Sequence, residues 1–376
     1  MDIALHRLID HIQTAAAQRT PLRIRGGGSK DFYGETLQGE LLDTTPYRGI
    51  VSYEPSELVV TMRAGTPLAE LEAALTEKGQ CLAFEPPRFG PANGTCGGMV
   101  AAGLSGPARA SVGGVRDYVL GVQLVNGLGE HLTFGGQVMK NVAGYDVSRL
   151  MVGALGTLGL LTEISLKVLP VAPAEATLVF ELDQASALAQ LQRWGAQPLP
   201  LNASCWVHDD TAANAPELLF LRLRGAVAAV ESACTKLLKD VPGHRMDIAQ
   251  AGPDWTACRD LKLPFFTAPA NAPEPLALWR LSVPQTAPAL DLPWPQLVEW
   301  HGGQRWLRAP VSAMEQLRQA ATAAGGSASV FMACGSTGVN NRFSPLQPTL
   351  EQIHRRLKAE FDPAGILNPG RMYPLL

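Results

Sequence analysis

No stretch of this chain is apolar for long enough to cross a bilayer. A membrane helix needs about 20 predominantly apolar residues, and the longest soft run, around Met99 to Leu104, is short and broken by glycine. The N-terminus, Met1-Asp2-Ile3, places charge where a secretory signal stays apolar, so no signal peptide is expected. Charge of neither sign dominates: 31 Lys and Arg stand against 34 Asp and Glu, a net charge of −3. That balance gives no field for nucleic acid or an anionic membrane. Cysteine is sparse and scattered. Cys81, Cys96, Cys205, Cys234, Cys258 and Cys334 contain no Cys-x-x-Cys pair. This argues against a zinc ribbon or an iron–sulfur cluster held by this chain alone and makes a reducing, cytoplasmic setting the default. The seven histidines (His6, His11, His131, His208, His244, His301 and His354) stand alone, with no two at metal-ligand spacing, so no metal site is expected.

Common catalytic signatures are missing too. There is no G-x-G-x-x-G after a strand, no G-x-x-x-x-G-K-[ST], no H-E-x-x-H and no G-x-S-x-G elbow. Gly103-Leu104-Ser105-Gly106 comes near an elbow but carries Pro107 where the last glycine belongs. What the chain has instead is glycine in clusters. The first is Arg25-Gly26-Gly27-Gly28-Ser29; the second runs from Gly90-Pro91 through Asn93-Gly94-Thr95 to Gly97-Gly98, and on to Gly103-Leu104-Ser105-Gly106-Pro107. A third is Gly153-Ala154-Leu155-Gly156-Thr157-Leu158-Gly159. Backbone N–H groups unhindered by a Cβ can converge on an anion such as a phosphate. One loop alone could be a tight structural turn. Three in sequence suggest a long phosphate-bearing ligand touched at several points, although the third cluster also suits close packing of a helix on a strand.

At 376 residues with 46% hydrophobic and 17% charged residues, the chain reads as a globular protein of roughly two domains. Leu5, Leu8, Ile9 and Ile12 predict an amphipathic helix over 3–17. Leu22–Arg25 and Leu58–Met62 read as strands. Thr66 as N-cap and Pro67 at the first helical position open a helix with Leu68, Leu71 and Leu75 inward and Gly79 at its end. Val119–Val125 is a strand before Asn126-Gly127, and alternation from Thr162 to Val168 is another. Pro170 and Pro173 mark a boundary. Beyond it lie all seven tryptophans, between Trp194 and Trp306, and a proline-rich, loop-like stretch from Pro264 to Pro295. Helical patterns return over Ser312–Ala324 and at Leu350, Ile353, Leu357 and Phe361, stopping at Asp362-Pro363.

Ordered along the chain, these pieces resemble the PCMH-type, or vanillyl-alcohol-oxidase-type, FAD-binding family. Ile24 to Ser29 resembles its first pyrophosphate loop. Gly94-Thr95-Cys96-Gly97-Gly98-Met99-Val100-Ala101 with Ser105-Gly106-Pro107 resembles its second. Gly114 to Gly121, then Lys140-Asn141-Val142-Ala143-Gly144-Tyr145-Asp146, then Gly156-Thr157-Leu158-Gly159 and Thr162-Glu163 follow in family order. Phe361-Asp362-Pro363 to Leu367-Asn368-Pro369-Gly370-Arg371-Met372 resembles its C-terminal signature. The likeness covers about 20–170 and the last thirty residues. Within the family, Met139 to Met151 and the ending Asn368 to Tyr373 are most similar to the smaller flavin subunits of bacterial glycolate oxidases, which work beside a larger flavin subunit and an iron–sulfur subunit.

The resemblance implies FAD held by Arg25, Gly26, Gly27, Gly28, Ser29, Gly94, Thr95, Gly97, Gly98, Gly103, Ser105, Gly106 and Gly156. Arg116 would fix the loop around the cofactor, the backbone at Ile164 would face the adenine, and Asn368 would return from the C-terminus. Lys140, Asn141, Tyr145 and Arg371 are flavin-facing candidates; Lys140, Asn141, Tyr145 and Asp146 read equally well as a loop that caps its neighbours. A cation such as Arg371 near the flavin N1–C2 edge would stabilise reduced flavin. Ser29 occupies the place of the histidine that binds FAD covalently in many relatives, which implies non-covalent FAD. The Gly-Asp-Gly-Asn-Leu-His and Glu-His-Gly-Ile-Gly segments that serve the metal and the base in larger 2-hydroxy-acid dehydrogenases are absent. No catalytic base is assigned. His301-Gly302-Gly303-Gln304-Arg305 could set a base and an anion-binding arginine near the flavin, but a lone surface histidine beside a turn is the plainer reading. Cys96 reads as a small packed hydrophobe, and the tryptophans as core or interface.

The expected fold is therefore α+β: a PCMH-type FAD domain of two α+β subdomains over 1–170, an α+β cap over 171–345, and a segment 346–376 returning to the FAD domain. The expected function is an FAD-binding subunit of a glycolate oxidase complex. Glycolate would become glyoxylate by loss of a hydride to flavin and a proton to a base on the larger partner, with electrons passing to the iron–sulfur subunit. Two alternatives stand beside it: a self-sufficient FAD dehydrogenase of a small 2-hydroxy acid such as D-lactate, and a non-redox assembly subunit. Membrane contact is expected only peripherally, through partners.

Overall fold

A computed structural model describes residues 2–90, 94–136, 145–208, 215–268, 274–333, 339–374 and 376. The chain divides into two compact units, one of residues 1–104, 114–170 and 340–376, the other of 105–113 and 171–339. Helix and strand both contribute to each, an α+β composition.

In the first unit α1 (Ile3–Gln18) begins at Asp2, whose carboxylate caps the Ala4 N–H at 2.8 Å, and ends with Arg19 in the left-handed region. Its stripe of Leu5, Leu8, Ile9, Ile12 and Ala15 packs with Leu22, Leu42, Val125, Leu160, Ile366 and Leu367. β1 (Leu22–Arg25) pairs parallel with β2 (Glu40–Asp43), and Leu22 also bridges to Leu367. A second layer is an antiparallel five-stranded sheet in the order β3 (Ile50–Glu54), β4 (Val59–Arg63), β8 (Leu160–Lys167), β6 (Val119–Val125), β7 (His131–Gly135). α2 (Leu68–Thr76), α3 (Cys96–Ala102) and the short α5 (Val147–Leu150) accompany it; two-residue strands β5 (Gln80–Cys81) and β9 (Leu169–Pro170) pair with each other. β8 starts two residues before the alternation does. It is a central strand buried on both faces, so Leu160 and Leu161 break the period-2 pattern.

One local expectation is corrected. Thr66 does not cap α2: its hydroxyl accepts from the Gly49 N–H at 2.8 Å and bonds the Gly49 carbonyl, while Pro67 takes the cap position.

The second unit is built on an antiparallel eight-stranded sheet in the order β13, β10, β12, β11, β15, β16, β14, β17. The strands are β10 (Ala174–Glu181), β11 (Leu201–His208), β12 (Glu217–Gly225), β13 (His244–Arg245), β14 (Leu276–Ser282), β15 (Gln296–Glu299), β16 (Gln304–Pro310) and β17 (Ser327–Met332). It carries α4 (Arg109–Val112), α6 (Gln184–Gly195), α7 (Val227–Asp240), α8 (Ile248–Arg259) and α9 (Met314–Ala323). Tryptophan is core here: Trp194 and Trp279 are fully buried, and Trp206, Trp255 and Trp306 nearly so.

The segment 105–113 is held in this unit by Trp300, whose Nε1 donates to the Gly106 carbonyl at 3.0 Å and whose ring lies 4.5 Å from the Arg109 guanidinium. Ser111 Oγ lies 2.9 Å from His301 Nε2. His301 is half-buried, and burial pushes its pKa down to about 4, so the ring is neutral. Arg305 is not free to bind an anion either, because its guanidinium donates to the carbonyls of Gly302, Ala287 and Pro288.

Candidate functional site

The site lies in the first unit, where β1 runs out into the first glycine loop. At Gly28 the chain turns through φ +72°, and a Cβ there would stand 2.0 Å from Arg25 Nη2, so the loop wraps tightly over the Arg25 side chain. Arg25 Nε in turn donates to Asp31 Oδ2 at 2.8 Å. The amides of Gly26, Gly27, Gly28 and Ser29 donate to no other part of the described chain. Four successive donors without an acceptor among the described residues suit an anion.

The second loop meets the first directly. A Cβ on Gly26 would lie 2.2 Å from Thr95 Oγ1, and one on Gly94 would lie 3.0 Å from Ser29 Oγ. Thr95 caps α3 by accepting from the Gly98 N–H at 3.1 Å. The Cys96 and Gly97 amides are engaged by the Thr66 and Ala64 carbonyls. Cys96 is fully buried, and burial raises its thiol pKa. The third cluster is pinned to α3, with Gly153 N on the Val100 carbonyl and Leu155 N on the Ala101 carbonyl. Gly103 lies so close to Gly153 that a Cβ would meet its Cα at 3.0 Å.

The C-terminal segment closes the arrangement. Asn368 Oδ1 accepts from the Ile24 N–H at 2.7 Å and its Nδ2 donates to the Leu155 carbonyl at 2.6 Å, tying the first loop to the third cluster. Arg371 is buried; its guanidinium donates to the backbone carbonyls of Glu35, Lys30 and Asp31, which shapes the loop after Ser29. Burial holds its pKa down near 10. Upstream, Lys358 Nζ donates to Asp362 Oδ2 and to the carbonyls of Thr157 and Leu367, while Asp362 also accepts from the Ile366 and Leu367 amides.

Two adjoining cavities of about 70 and 90 Å³ result, with Ile24, Gly26, Gly98, Ala101, Leu155 and Asn368 lining both. Among the residues expected from sequence, Arg25, Gly26, Gly27, Gly28, Ser29, Thr95, Gly98, Asn368 and Arg371 line the larger one, and Gly97 and Gly156 the smaller. Gly94 abuts the first loop; Gly103 serves as the C-cap of α3. Others are not gathered there. Arg116 is exposed in a 3₁₀ turn, Ile164 is fully buried mid-sheet in β8, and Ser105 and Gly106 belong to the second unit. Tyr145 is 96% exposed. Lys140 and Asn141 lie outside the described residues.

Sequence reasoning missed Lys30, which lines the larger cavity directly after the loop. Its ammonium lies 5.9 Å from the Phe89 ring centroid and makes no ion pair among the described residues. Burial pushes its pKa down to about 8. The signal was a lone cation abutting a glycine run. Unengaged amides beside an unpaired ammonium suit a phosphate-bearing cofactor, so these residues fit FAD through its diphosphate. Among the described residues, no helix is long and apolar enough to cross a membrane, and no group of three or more His, Cys, Asp or Glu side chains is placed to hold a metal.

Comparison with known proteins agrees with this geometry. Residues 6–135 match the family model described as an FAD binding domain. Glycolate oxidase subunit GlcE of Escherichia coli (strain K12) is 45% identical over 366 residues, covering 97% of this chain and 96% of that protein. Glycolate oxidase subunit GlcD of Bacillus subtilis (strain 168) is 31% identical over 185 residues, 48% of this chain and 39% of that one. In fold, an alkyldihydroxyacetonephosphate synthase structure superposes with a TM-score of 0.66 at 16% identity, covering 97% of this chain and 75% of that one. The chain therefore belongs to the PCMH-type FAD-binding oxidoreductases, in the group of glycolate oxidase subunit GlcE.

Proposed function

We propose that this chain is the FAD-holding small subunit of a glycolate oxidase complex, in which glycolate is oxidised to glyoxylate with release of two electrons and two protons. The observation that carries this is identity of 45% along essentially the whole of both chains with subunit GlcE. The substrate chemistry falls to a larger flavin subunit, because the isolated histidines of this chain offer no base and metal set of the 2-hydroxy-acid type. Electrons leave toward an iron–sulfur subunit, and any membrane attachment is peripheral, through those partners, on the cytoplasmic side.

Bound FAD would supply the capacity to accept and pass on electrons. This chain's own residues do the holding. The Gly26–Ser29 amides would hold the diphosphate, with Thr95 and Gly98 lining the same cavity, and Asn368 and Arg371 keep the loop in shape. FAD is held without a covalent bond, since Ser29 stands where a histidine would form one. In domain terms, the unit of 1–104, 114–170 and 340–376 would be the FAD domain and the unit of 105–113 and 171–339 the cap.

The test is the visible spectrum of the purified chain, anaerobic, before and after glycolate or D-lactate. The expected result is a flavin band that persists with either acid and bleaches with glycolate once the larger flavin subunit is added. Bleaching by the chain alone would make it a self-sufficient dehydrogenase. A folded, colourless chain that takes up no FAD would make it an assembly subunit. Acid precipitation should leave the flavin in the supernatant; flavin in the pellet would refute non-covalent binding.

A further inference from the structure

We propose that Lys30 supplies the positive charge that pairs with the diphosphate of FAD, and that FAD binding is thereby linked to protonation of this one side chain. The inference rests on the FAD reading above and goes beyond it by naming a residue and a pH dependence.

Geometry is the first support. Lys30 lines the same cavity as the four unengaged amides of Gly26–Ser29. A Cβ on Gly94 would stand 3.5 Å from Lys30 Nζ, so the ammonium lies where the first and second loops meet, against the bare face of a glycine.

Charge is the second. The charged groups next to Lys30 among the described residues are engaged. Asp31 is held by Arg25 at 2.8 Å. Arg371 donates to backbone carbonyls, including that of Lys30. Glu35 accepts from the Arg342 amide at 2.5 Å. Arg88, beside Phe89, pairs with Glu72. Among the described residues, the carboxylates near these cations, Asp31 and Glu35, are thus held by Arg25 and by Arg342, and Lys30 makes no ion pair. Desolvation disfavours the ammonium form, in keeping with a pKa of about 8 for the free chain. A diphosphate would reverse this by favouring the charged form. Above the free pKa a proton must therefore be taken up on binding, and affinity falls as pH rises.

The experiment is equilibrium titration of the full chain with FAD, read by flavin fluorescence, at about pH 7 and about pH 9. From the pKa of about 8, wild-type affinity should fall about tenfold between the two. Lys30→Arg should bind tightly at both, because a guanidinium does not deprotonate there. Lys30→Met should bind about ten- to a hundredfold more weakly at pH 7 and show no pH dependence, the loss of one charge-assisted contact. Riboflavin, which lacks the diphosphate, should not distinguish the variants. Lys30→Met within twofold of wild type, or equal pH slopes for wild type and Lys30→Arg, would overturn the proposal while leaving FAD binding intact. If Lys30→Met does not fold, the wild-type and Lys30→Arg profiles decide alone. A folded wild-type chain that binds no FAD at either pH overturns the FAD reading itself.

Discussion

Asp362→Ala should destabilise the first unit by about 3–5 kcal/mol, the usual cost of breaking a buried ion pair by removing one partner. The Asp362 carboxylate is buried and takes three protein donors: Lys358 Nζ at 2.7 Å, the Leu367 amide at 2.7 Å and the Ile366 amide at 3.1 Å. Truncation leaves a buried ammonium with only carbonyl partners and orphans two amides. Domains are stable by only about 5–15 kcal/mol, so this is a large share. The damage should be local at first, because Leu367 and Asn368 carry the chain to β1. Hydrogen exchange at the Ile366, Leu367, Asn368 and Ile24 amides should accelerate well before the second unit responds. Adding Lys358→Met removes the stranded charge. The double variant should therefore be more stable than Asp362→Ala by roughly 1–2 kcal/mol, without reaching wild type, since the two amides stay unpaired. Chemical denaturation together with exchange measures both quantities. A loss under about 1 kcal/mol for Asp362→Ala, or a double variant no better than the single, would refute the view that this pair anchors the C-terminal segment.

Gly28→Ala should weaken FAD binding at least about tenfold, because the residue has φ +72° and its Cβ would overlap Arg25 Nη2; titration by flavin fluorescence checks this. Asn368→Ala should cost about 1–3 kcal/mol by orphaning the Ile24 amide and the Leu155 carbonyl, and should also loosen FAD; unaltered thermal and denaturant midpoints would contradict it. Cys96 should stay unmodified by thiol reagents in the native chain, since burial raises its pKa and shields its sulfur; peptide mapping after brief alkylation would show otherwise if the thiol were reactive.

Most elements of the first unit were legible in sequence because they are local. The stripe of α1, the strands 22–25 and 119–125, and the stop at Asp362-Pro363 each follow from a period or a breaker within a few residues. The start of β8 and the cap of α2 were not. The first depends on burial of both sheet faces, and the second on Gly49, seventeen residues away, claiming the Thr66 hydroxyl. In the second unit, composition announced a tryptophan-rich core but not the strand order that assembles eight strands between Ala174 and Met332.

The glycine clusters and the C-terminal signature, and their order, can be read from the residues alone. Glycine's missing Cβ is a property of the residue, so a loop that must approach an anion closely is written in composition. Which of those residues present donors, and which merely hold others in place, was decided only by the tertiary structure. Asn368 and Arg371 line the cavity, and their polar atoms also bond the backbone at Ile24, Leu155, Lys30 and Asp31. Lys30 carried no reading from sequence, and folding leaves it half-buried with no ion pair among the described residues. A hydrogen bond or a desolvated charge depends on groups brought from more than 300 residues away, and no local pattern encodes that distance.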